Sequence, residues 1–346
     1  MKTKIIIFYI LFGILITSRT QAQDQKENNI INWQGYAQVR GSSDLDTTYN
    51  FSINRLKFWV AGEHDFGRGQ FIWHAKVIYS SKLGNYPAFL DGYLGYKVNN
   101  WQVLIGQQIP DFSLQWAQPD FQIPENMRTR TVATLSPSSS SFARDIGVQS
   151  KFYFKEQKGH ISVGIFNGTG ANNITFSGNH YLFSSRLVYK VIDTPWYLNL
   201  GTSFMHRSFE NQQFIPITLD PTELTGNDTR YAFEVETGNQ YWQFQAEYIT
   251  AKITDQNTYG GYLHGQRLLA DKHLIFINLE DYQNDWQNSH NQYYTLGYSY
   301  HFAGDIAKIT IDNRLINNLS NNKLSNLLIV QFQYMFNKSF KSKYHD

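Results

Sequence analysis

The feature that most constrains this chain is a repeated alternation of apolar and polar residues in short segments. Successive side chains of a β-strand point to opposite faces, so this period of two predicts strands with two different faces. In residues 327–336, Phe332 and Tyr334 lie on one face, and Gln331 and Gln333 lie on the other. One face of such a strand suits lipid and the other suits water.

The same pattern recurs along the chain and predicts about sixteen strands. Their expected ranges are 33–41, 50–64, 70–81, 88–98, 101–108, 144–155, 160–167, 182–192, 196–208, 229–238, 241–254, 258–270, 272–283, 291–302, 306–317 and 325–336. Every other connector is tight, such as 99–100 and 239–240, whereas the connectors between them are usually longer, such as 109–143 and 209–228. The fold is therefore expected to have one end with short turns and one end with loops.

Composition excludes several other classes of protein. Beyond the first 20 residues no segment approaches the roughly 18 continuous apolar residues of a membrane helix, which excludes a helical membrane bundle. The chain has no cysteine, so it has no disulfide, thiolate nucleophile or thiolate metal site. A formal net charge of +2 excludes a strongly basic nucleic-acid-binding protein.

The N-terminus has the order of a secretory signal peptide. Lys2 and Lys4 precede an apolar run over 5–16, and a polar stretch ends at Ala22, after which cleavage is expected. A single membrane anchor is the alternative for this segment. Removing residues 1–22 leaves 27 basic and 28 acidic residues, a net charge of −1. We expect a barrel over 23–336 and a polar C-terminal tail over 337–346.

An even number of strands, aromatic strand ends and alternating turn lengths are typical of outer-membrane barrels. In hydrocarbon every backbone N–H and C=O must be paired within the protein, and a closed sheet achieves this. Tyrosine and tryptophan are favoured where lipid meets water, and the 23 Tyr, 8 Trp and 25 Phe make up 16% of the chain. We therefore expect an all-β, transmembrane, antiparallel barrel in the outer membrane of a diderm bacterium, surrounded by lipid. A soluble sandwich would not keep an apolar outer face on every strand.

Several stretches, in order, resemble the phosphate-selective porin O and P family, which are sixteen-stranded trimeric channels. These stretches are Asn54-Arg55-Leu56-Lys57, Tyr93-Leu94-Gly95-Tyr96, Gly106-Gln107, Pro110-Asp111-Phe112-Ser113-Leu114, Arg144-Asp145-Ile146-Gly147-Val148, Gly164-Ile165-Phe166-Asn167-Gly168 and Ser185-Arg186-Leu187-Val188-Tyr189. The resemblance implies a homotrimeric porin through which small hydrophilic solutes, anions such as phosphate in particular, diffuse passively. It also implies that the third long loop, 109–143, folds into the channel; the alternative is an external flap.

Alternation places a set of cations on the water-facing side of the strands or in the long loop. The candidates for an anion path are Arg55, Lys57, Arg128, Arg130, Lys151 and Arg186. Cations that line a narrow passage replace part of an anion's hydration shell and make the passage anion-selective. Acids are also expected inside, with Glu63 and Glu247 opposing the cations, and with Glu234, Glu236 and Asp312 as further candidates.

Two features weigh against a purely basic, phosphate-selective channel. The family commonly has a lysine shortly after its Gly-Gln pair, where this chain has Gln108, and the expected interior is mixed in charge. Arg144 has two open roles, either in the anion path or in an ion pair with Asp145 that anchors the loop. The alternatives to a phosphate channel are a weakly selective channel for other solutes and a non-conducting structural or adhesive barrel.

Catalysis is not expected, although some outer-membrane barrels are enzymes. A hydrolase of that kind needs a nucleophile, a histidine and an orienting acid. His206 and Ser208 share a strand face, but no third member is evident. The ten histidines show no metal-ligand spacing, so neither a metal nor another cofactor is expected.

Overall fold

The described part of the chain is a closed antiparallel β-barrel. The computed structural model describes residues 29–81, 86–173, 181–220 and 222–342. Each of its sixteen strands pairs with its neighbours along the chain, and the last strand pairs with the first. The predicted sixteen-stranded barrel is confirmed, whereas the predicted signal peptide, residues 1–22, lies outside the described residues.

The strands differ in length, and the shortest ones are neighbours between β3 and β7. They are β1 Asn29–Ser43, β2 Tyr49–Asp65, β3 Gln70–Tyr79, β4 Ala88–Val98, β5 Trp101–Gln108, β6 Asp145–Tyr153, β7 Gly159–Phe166, β8 Leu182–Ile192, β9 Tyr197–Gln213, β10 Glu223–Gly238, β11 Trp242–Ile253, β12 Gln256–Leu269, β13 His273–Asn284, β14 Ser289–Ala303, β15 Ala307–Asn318 and β16 Lys323–Ser342.

Short helices occur in the connectors. In residues 109–144, which we call loop 3, lie α1 (Leu114–Ala117) and α2 (Arg130–Leu135), and α3 (Ile215–Thr218) lies between β9 and β10. Within the described residues, 3₁₀ turns cover Ser139–Ser141, Lys155–Gln157 and Asp285–Gln287. Among the described residues, no helix combines the length and apolar character needed to cross a membrane.

The structure corrects two sequence-based boundaries. The β9–β10 hairpin continues beyond the predicted ends at 208 and 229, and Gln213 pairs with Glu223. In its outer part the outward side chains are polar, such as Ser208 and Glu210, while Phe209 points inward and is buried. The apolar outer face that marks the strands inside the membrane is therefore lost there. The predicted tail also begins too early, because β16 continues past Phe336 to Ser342 and pairs with the start of β1.

The outer face of the barrel is apolar, as the alternation predicts. In β14, for example, Leu296 is 62% exposed whereas its neighbour Thr295 is 2% exposed. Near the short-turn end, Trp242 stacks on Phe244 with ring centroids 5.8 Å apart, and Trp196 stacks on the same phenylalanine at 6.4 Å. This arrangement of an apolar surface with aromatic rings near its edge is typical of a barrel that spans a membrane.

Inside the barrel, an apolar cluster joins loop 3 and α3 to the strands β7–β13. Its buried members are Phe112, Val132, Leu135, Phe166, Leu182, Met205, Phe209, Phe214, Ile217, Ala232, Ile249, Ala251, Ile253, Tyr262 and Tyr282. Loop 3 therefore fills much of the interior on this side. Cavities remain between the loop and β1–β6 and, toward the short-turn end, between the loop and β9–β15.

The outward direction of Leu296 gives a test of the membrane-facing surface. We expect Leu296→Arg to reduce the free energy of folding into lipid vesicles by about 2–4 kcal/mol, because the charge enters hydrocarbon near the centre of β14. The matched control is Leu45→Arg in the β1–β2 connector, where we expect a change of about 0–1 kcal/mol. Denaturant titration of both variants measures the difference, and equal costs would contradict this orientation of β14.

Candidate functional site

Loop 3 lies inside the barrel, as expected, and three carboxylates of the wall hold its backbone. Glu247 of β11 accepts hydrogen bonds from the backbone N–H groups of Leu114 at 3.1 Å and Gln115 at 3.4 Å. These are the first residues of α1, whose N–H groups have no partner within the helix. The carboxylate therefore satisfies the start of α1 and also favours its positive end.

The start of α2 is held in the same way. Glu280 of β13 accepts from the backbone N–H of Arg130 at 2.9 Å and from that of Thr131 at 2.5 Å. Between the two helices, Asp312 of β15 accepts from the backbone N–H of Asn126 at 2.7 Å. Loop 3 is thus attached to three different strands of the wall that faces β1–β6.

A buried side-chain pair adds a fourth attachment. Glu125 of loop 3 lies 2.8 Å from Nδ1 of His264 on β12, and both side chains are almost fully buried. Asn278 of β13 donates its amide to the same carboxylate at 2.9 Å. These contacts fix the middle of loop 3 against β12 and β13.

On the opposite side of the loop, Asp120 brings three of the predicted cations together. Its carboxylate contacts the Lys57 ammonium, lies 2.6 Å from the Arg128 guanidinium and lies 3.7 Å from that of Arg55. Arg128 also donates to the backbone carbonyl of Gln118 at 3.0 Å and lies over the ring of Trp116. Arg128 therefore stabilises the loop itself. Its side chain is largely buried but lines one of the cavities described below.

Asp111 gathers two more of the predicted cations. Lys151 of β6 lies 2.7 Å from this carboxylate, and Arg186 of β8 lies 2.8 Å from it. Arg186 also pairs with Glu234 at 2.7 Å, and His160 contacts Asp111 at 3.0 Å. The beginning of loop 3 is thereby joined to β6, β7 and β8.

A third group of charges surrounds Asp91 on β4. Lys76 of β3 lies 2.8 Å from this carboxylate, and Arg144 at the end of loop 3 lies 2.9 Å from it. Of the two roles open for Arg144, the structure favours anchoring, but its partner is Asp91 rather than the adjacent Asp145. Asp145 instead accepts from the Ser138 hydroxyl at 2.8 Å.

The two loop acids remain ionised at neutral pH. Burial by itself would raise the pKa of Asp120, but Lys57, Arg55 and Arg128 outweigh it and hold that pKa well below its usual range. The same balance applies to Asp111, where Lys151 and Arg186 outweigh burial and keep the pKa well below its usual range. The loop therefore contributes fixed negative charges beside the cations of the wall.

In the groups around Asp91, Asp111 and Asp120, some cationic side chains are more exposed to solvent than the acids. The side chains of Arg55, Lys76 and Lys151 are 23%, 20% and 21% exposed, whereas their partners are 8% exposed for Asp120 and 6% for Asp91 and Asp111. These three cations are therefore more accessible than their acid partners. The other cations of these groups, Lys57, Arg128, Arg144 and Arg186, are as buried as the acids, at 4–7% exposed.

Two adjoining cavities lie between loop 3 and the strands β1–β6. Their volumes are about 310 and 320 Å³, and both are lined by Lys76, Ile109 and Trp116. Lys151 lines the first cavity and Lys57 lines the second. We call the cation groups around Asp91, Asp111 and Asp120, together with these cavities, the basic wall.

The remaining predicted residues lie elsewhere. Arg130 starts α2, directs its guanidinium toward the carbonyl of Pro216 at 3.5 Å and does not join the basic wall. Glu247 was expected to oppose the cations, but its oxygens bind the backbone of loop 3 instead. Glu63 shares the inward face of β2 with Lys57. It lies six residues closer to the short-turn end, and its side chain is exposed.

Sequence reasoning missed four charged residues of the basic wall. Lys76 shares the inward face of β3 with His74, two residues away, so the period of two could have identified it. Asp91 could have been found in the same way on β4. Asp111 and Asp120 lie in loop 3, where no periodic pattern indicates the direction of a side chain.

Solved structures with a similar barrel include outer-membrane porins. OmpF of Salmonella typhi in complex with daunomycin is 10% identical, with a TM-score of 0.66, and the match covers 92% of this chain and 100% of that chain. An anion-selective porin from Comamonas acidovorans is 11% identical, with a TM-score of 0.63, and the match covers 90% of this chain and 100% of that one. OmpT of Vibrio cholerae in its trimer form is 13% identical, with a TM-score of 0.64, and coverage is 89% of this chain and 99% of that one.

At these identities the likeness concerns the fold. The chain has the fold of outer-membrane porins, an integral barrel of the outer-membrane type. No protein-family model and no curated protein sequence matches the chain.

The attachment of α2 gives a test of how loop 3 is held. We expect Glu280→Gln to speed hydrogen exchange at the amides of Arg130 and Thr131 by at least about tenfold, since a hydrogen bond to a charged group contributes about 1.5–3 kcal/mol. The matched control is Asp281→Asn, which changes the next residue of β13, an exposed acid that pairs with His290. Mass spectrometry of exchanged loop peptides measures both, and unchanged exchange in the Glu280 variant would contradict the attachment.

Proposed function

We propose that the protein is an outer-membrane porin through which small hydrophilic solutes diffuse passively, with anions such as phosphate as the leading class. The observation that carries the proposal is the basic wall, where cations outnumber the carboxylates that they pair with. Two of these cations, Lys76 and Lys151, are 20% and 21% exposed and line the cavities. An anion in this space would meet more cations than carboxylates. Its lost hydration would be replaced in part by their charges.

The charge balance of the basic wall supports anions over cations. Its cations are Arg55, Lys57, Lys76, Arg128, Arg144, Lys151 and Arg186, and its carboxylates are Asp91, Asp111, Asp120 and Glu234. Seven positive charges against four negative charges leave three positive charges in excess. In a narrow space with protein walls, such an excess raises the local concentration of anions.

Phosphate itself is proposed from the resemblance to the porin O and P family, and an anion-selective porin is among the structures with a similar fold. The lysine that this family commonly has after its Gly-Gln pair is replaced by Gln108 here. Lys76 and Lys151, which line one cavity together, supply positive charge close to that position. The anion class thus depends on charges in the structure, and the choice of phosphate depends on the resemblance.

We also propose that the protein has no enzymatic activity and uses no cofactor. His206 and Ser208, the candidate base and nucleophile on one strand face, form hydrogen bonds with different residues. His206 contacts the Thr229 hydroxyl at 2.9 Å, and Ser208 donates to the Asn227 amide oxygen at 3.1 Å. This arrangement gives neither residue a catalytic neighbour.

A homotrimer is proposed as the assembly. The outer face of the short strands β4–β7 presents one continuous row of aliphatic side chains. Leu94 pairs with Ile105, Ile105 with Val148, and Val148 with Ile165. An apolar row on the outer face suits contact with other copies of the chain, and a trimer form is recorded for a protein with a similar fold.

Ion selectivity tests the proposed channel. We expect Lys76→Gln together with Lys151→Gln to lower the anion-to-cation permeability ratio by at least about twofold, because two exposed charges leave the passage. Asp91 and Asp111 each keep an arginine partner, so neither acid is left without a counter-charge. The measurement is the reversal potential across a planar bilayer with a salt gradient, repeated with phosphate competing against chloride.

The control for selectivity is Lys252→Gln, which removes an exposed lysine near the loop end of β11 and should change nothing. A wild-type potential of the cation-selective sign would contradict the anion proposal and favour a weakly selective channel for other solutes. Absence of conductance would favour a structural or adhesive barrel.

The aliphatic row tests the proposed trimer. We expect Ile105→Lys to yield monomers in detergent micelles, since a charge in the centre of a packed apolar interface opposes association. The matched control, Leu263→Lys, places the same charge on the outer face of β12 and should leave the trimer intact. Light scattering measures the mass of both, and a monomeric wild type or a trimeric Ile105 variant would contradict the proposal.

A further inference from the structure

A third cavity lies between loop 3 and the short-turn end of β9–β15, and its lining is chemically unlike the basic wall. Its volume is about 480 Å³, and we call it the amide vestibule. Its lining is dominated by amide side chains, which are those of Gln118, Gln122, Asn239, Gln240, Gln243, Gln245 and Gln266. Tyr197 and Tyr241 line it as well.

A carboxylate at the edge of this lining sets the direction of several of these amides. Glu236 of β10 accepts from the side-chain amides of Gln243 at 2.7 Å and Gln245 at 3.0 Å, and its other oxygen accepts from Asn199 at 3.0 Å. Gln266 in turn donates to the amide oxygen of Gln243 at 2.7 Å. The amides of the wall are therefore held in one orientation by a connected network.

Some amide groups of the lining are not used by this network and remain available to form hydrogen bonds with a molecule in the cavity. Three amide donors occupy the two oxygens of Glu236, so the carboxylate is satisfied by neutral groups. The amide oxygen of Gln245 accepts no hydrogen bond from the described residues, and the amide groups of Gln118 and Gln122 on loop 3 face the same space. An amide that can both donate and accept suits a partner that does the same.

The charges of the amide vestibule disfavour an anionic occupant. Asp271 and Asp305 line it together with a single lysine, Lys308, which lies 3.1 Å from Asp305. Glu236 adds another negative charge next to the lining. An anion attracted to the basic wall would therefore find no excess of positive charge here.

We propose that the amide vestibule is a binding site for an uncharged, polyhydroxylated solute, a sugar of one to a few units. Each hydroxyl of a sugar donates and accepts, which matches the fixed amides, and its apolar face can pack on Tyr197 or Tyr241. The volume is within the range of small-molecule sites, roughly 300–1,000 Å³. The inference extends the proposed channel function to a second solute class, and it rests on that function for the solute's access to the site.

Calorimetric titration of the detergent-solubilised barrel with maltotriose tests the site directly. We expect Gln245→Leu with Gln266→Leu to weaken binding by about tenfold or more, because two of the oriented amides are lost. The matched control is Gln256→Leu, at the opposite end of β12, which should bind as the wild type does. Circular dichroism of each variant checks that the barrel is folded.

A short polyethylene glycol of similar size separates hydrogen-bond recognition from simple filling of the cavity. This polymer accepts hydrogen bonds through its ether oxygens but donates almost none, so we expect it to bind more weakly than maltotriose. Equal binding of the two probes, or no binding of maltotriose to the wild type, would overturn the proposed site.

Measuring bilayer conductance distinguishes a failure of the proposed sugar site from a failure of the proposed channel. A chain that conducts anions but binds no maltotriose overturns the site alone. A chain that binds maltotriose but does not conduct supports the site and overturns the channel. In a conducting chain, the site predicts that maltotriose reduces the chloride current and that the double glutamine variant loses this block.

Discussion

The structure inside the barrel depends on hydrogen bonds from the backbone of loop 3 to carboxylates of the wall. A connector that leaves the surface must find partners for its N–H groups, because an unpaired buried donor is costly. Glu247, Glu280 and Asp312 supply these partners on three strands, and each is itself satisfied by the loop. Their negative charges are therefore used to position loop 3, and they do not form an acidic surface opposite the cations.

This use of the acids determines the chemistry of the remaining space. Loop 3 packs against β7–β13, and the two cavities of the basic wall lie on its other side, beside β1–β6. There the loop contributes Asp111 and Asp120, which fix the wall cations in place without covering them. Because the acids are more deeply buried than Arg55 and Lys151, ion pairing stabilises the loop and still leaves positive charge at the surface. One set of contacts thus both holds the loop and shapes the proposed anion path.

The sequence predicts the barrel well because lipid on one side and water or packed loop on the other enforce a period of two. All sixteen strands follow from it, and so do the inward directions of Lys57 and Lys151. The pattern fails where that contrast ends, as in the outer β9–β10 hairpin and in β16 beyond Phe336. It also says nothing about partners across the barrel, so the binding of Glu247 to loop 3 and the convergence on Asp120 could not be predicted.

The contrast between the basic wall and the amide vestibule bears on how a solute leaves. A channel conducts only if binding is strong enough for entry and weak enough for release. An excess of positive charge in a narrow space would by itself retain a multivalent anion. The vestibule has acids at Glu236 and Asp305 next to neutral amides, and it adjoins the basic wall through Gln118. In the proposed channel, an anion that moves toward the short-turn end would therefore lose electrostatic attraction within the protein, which would favour its release.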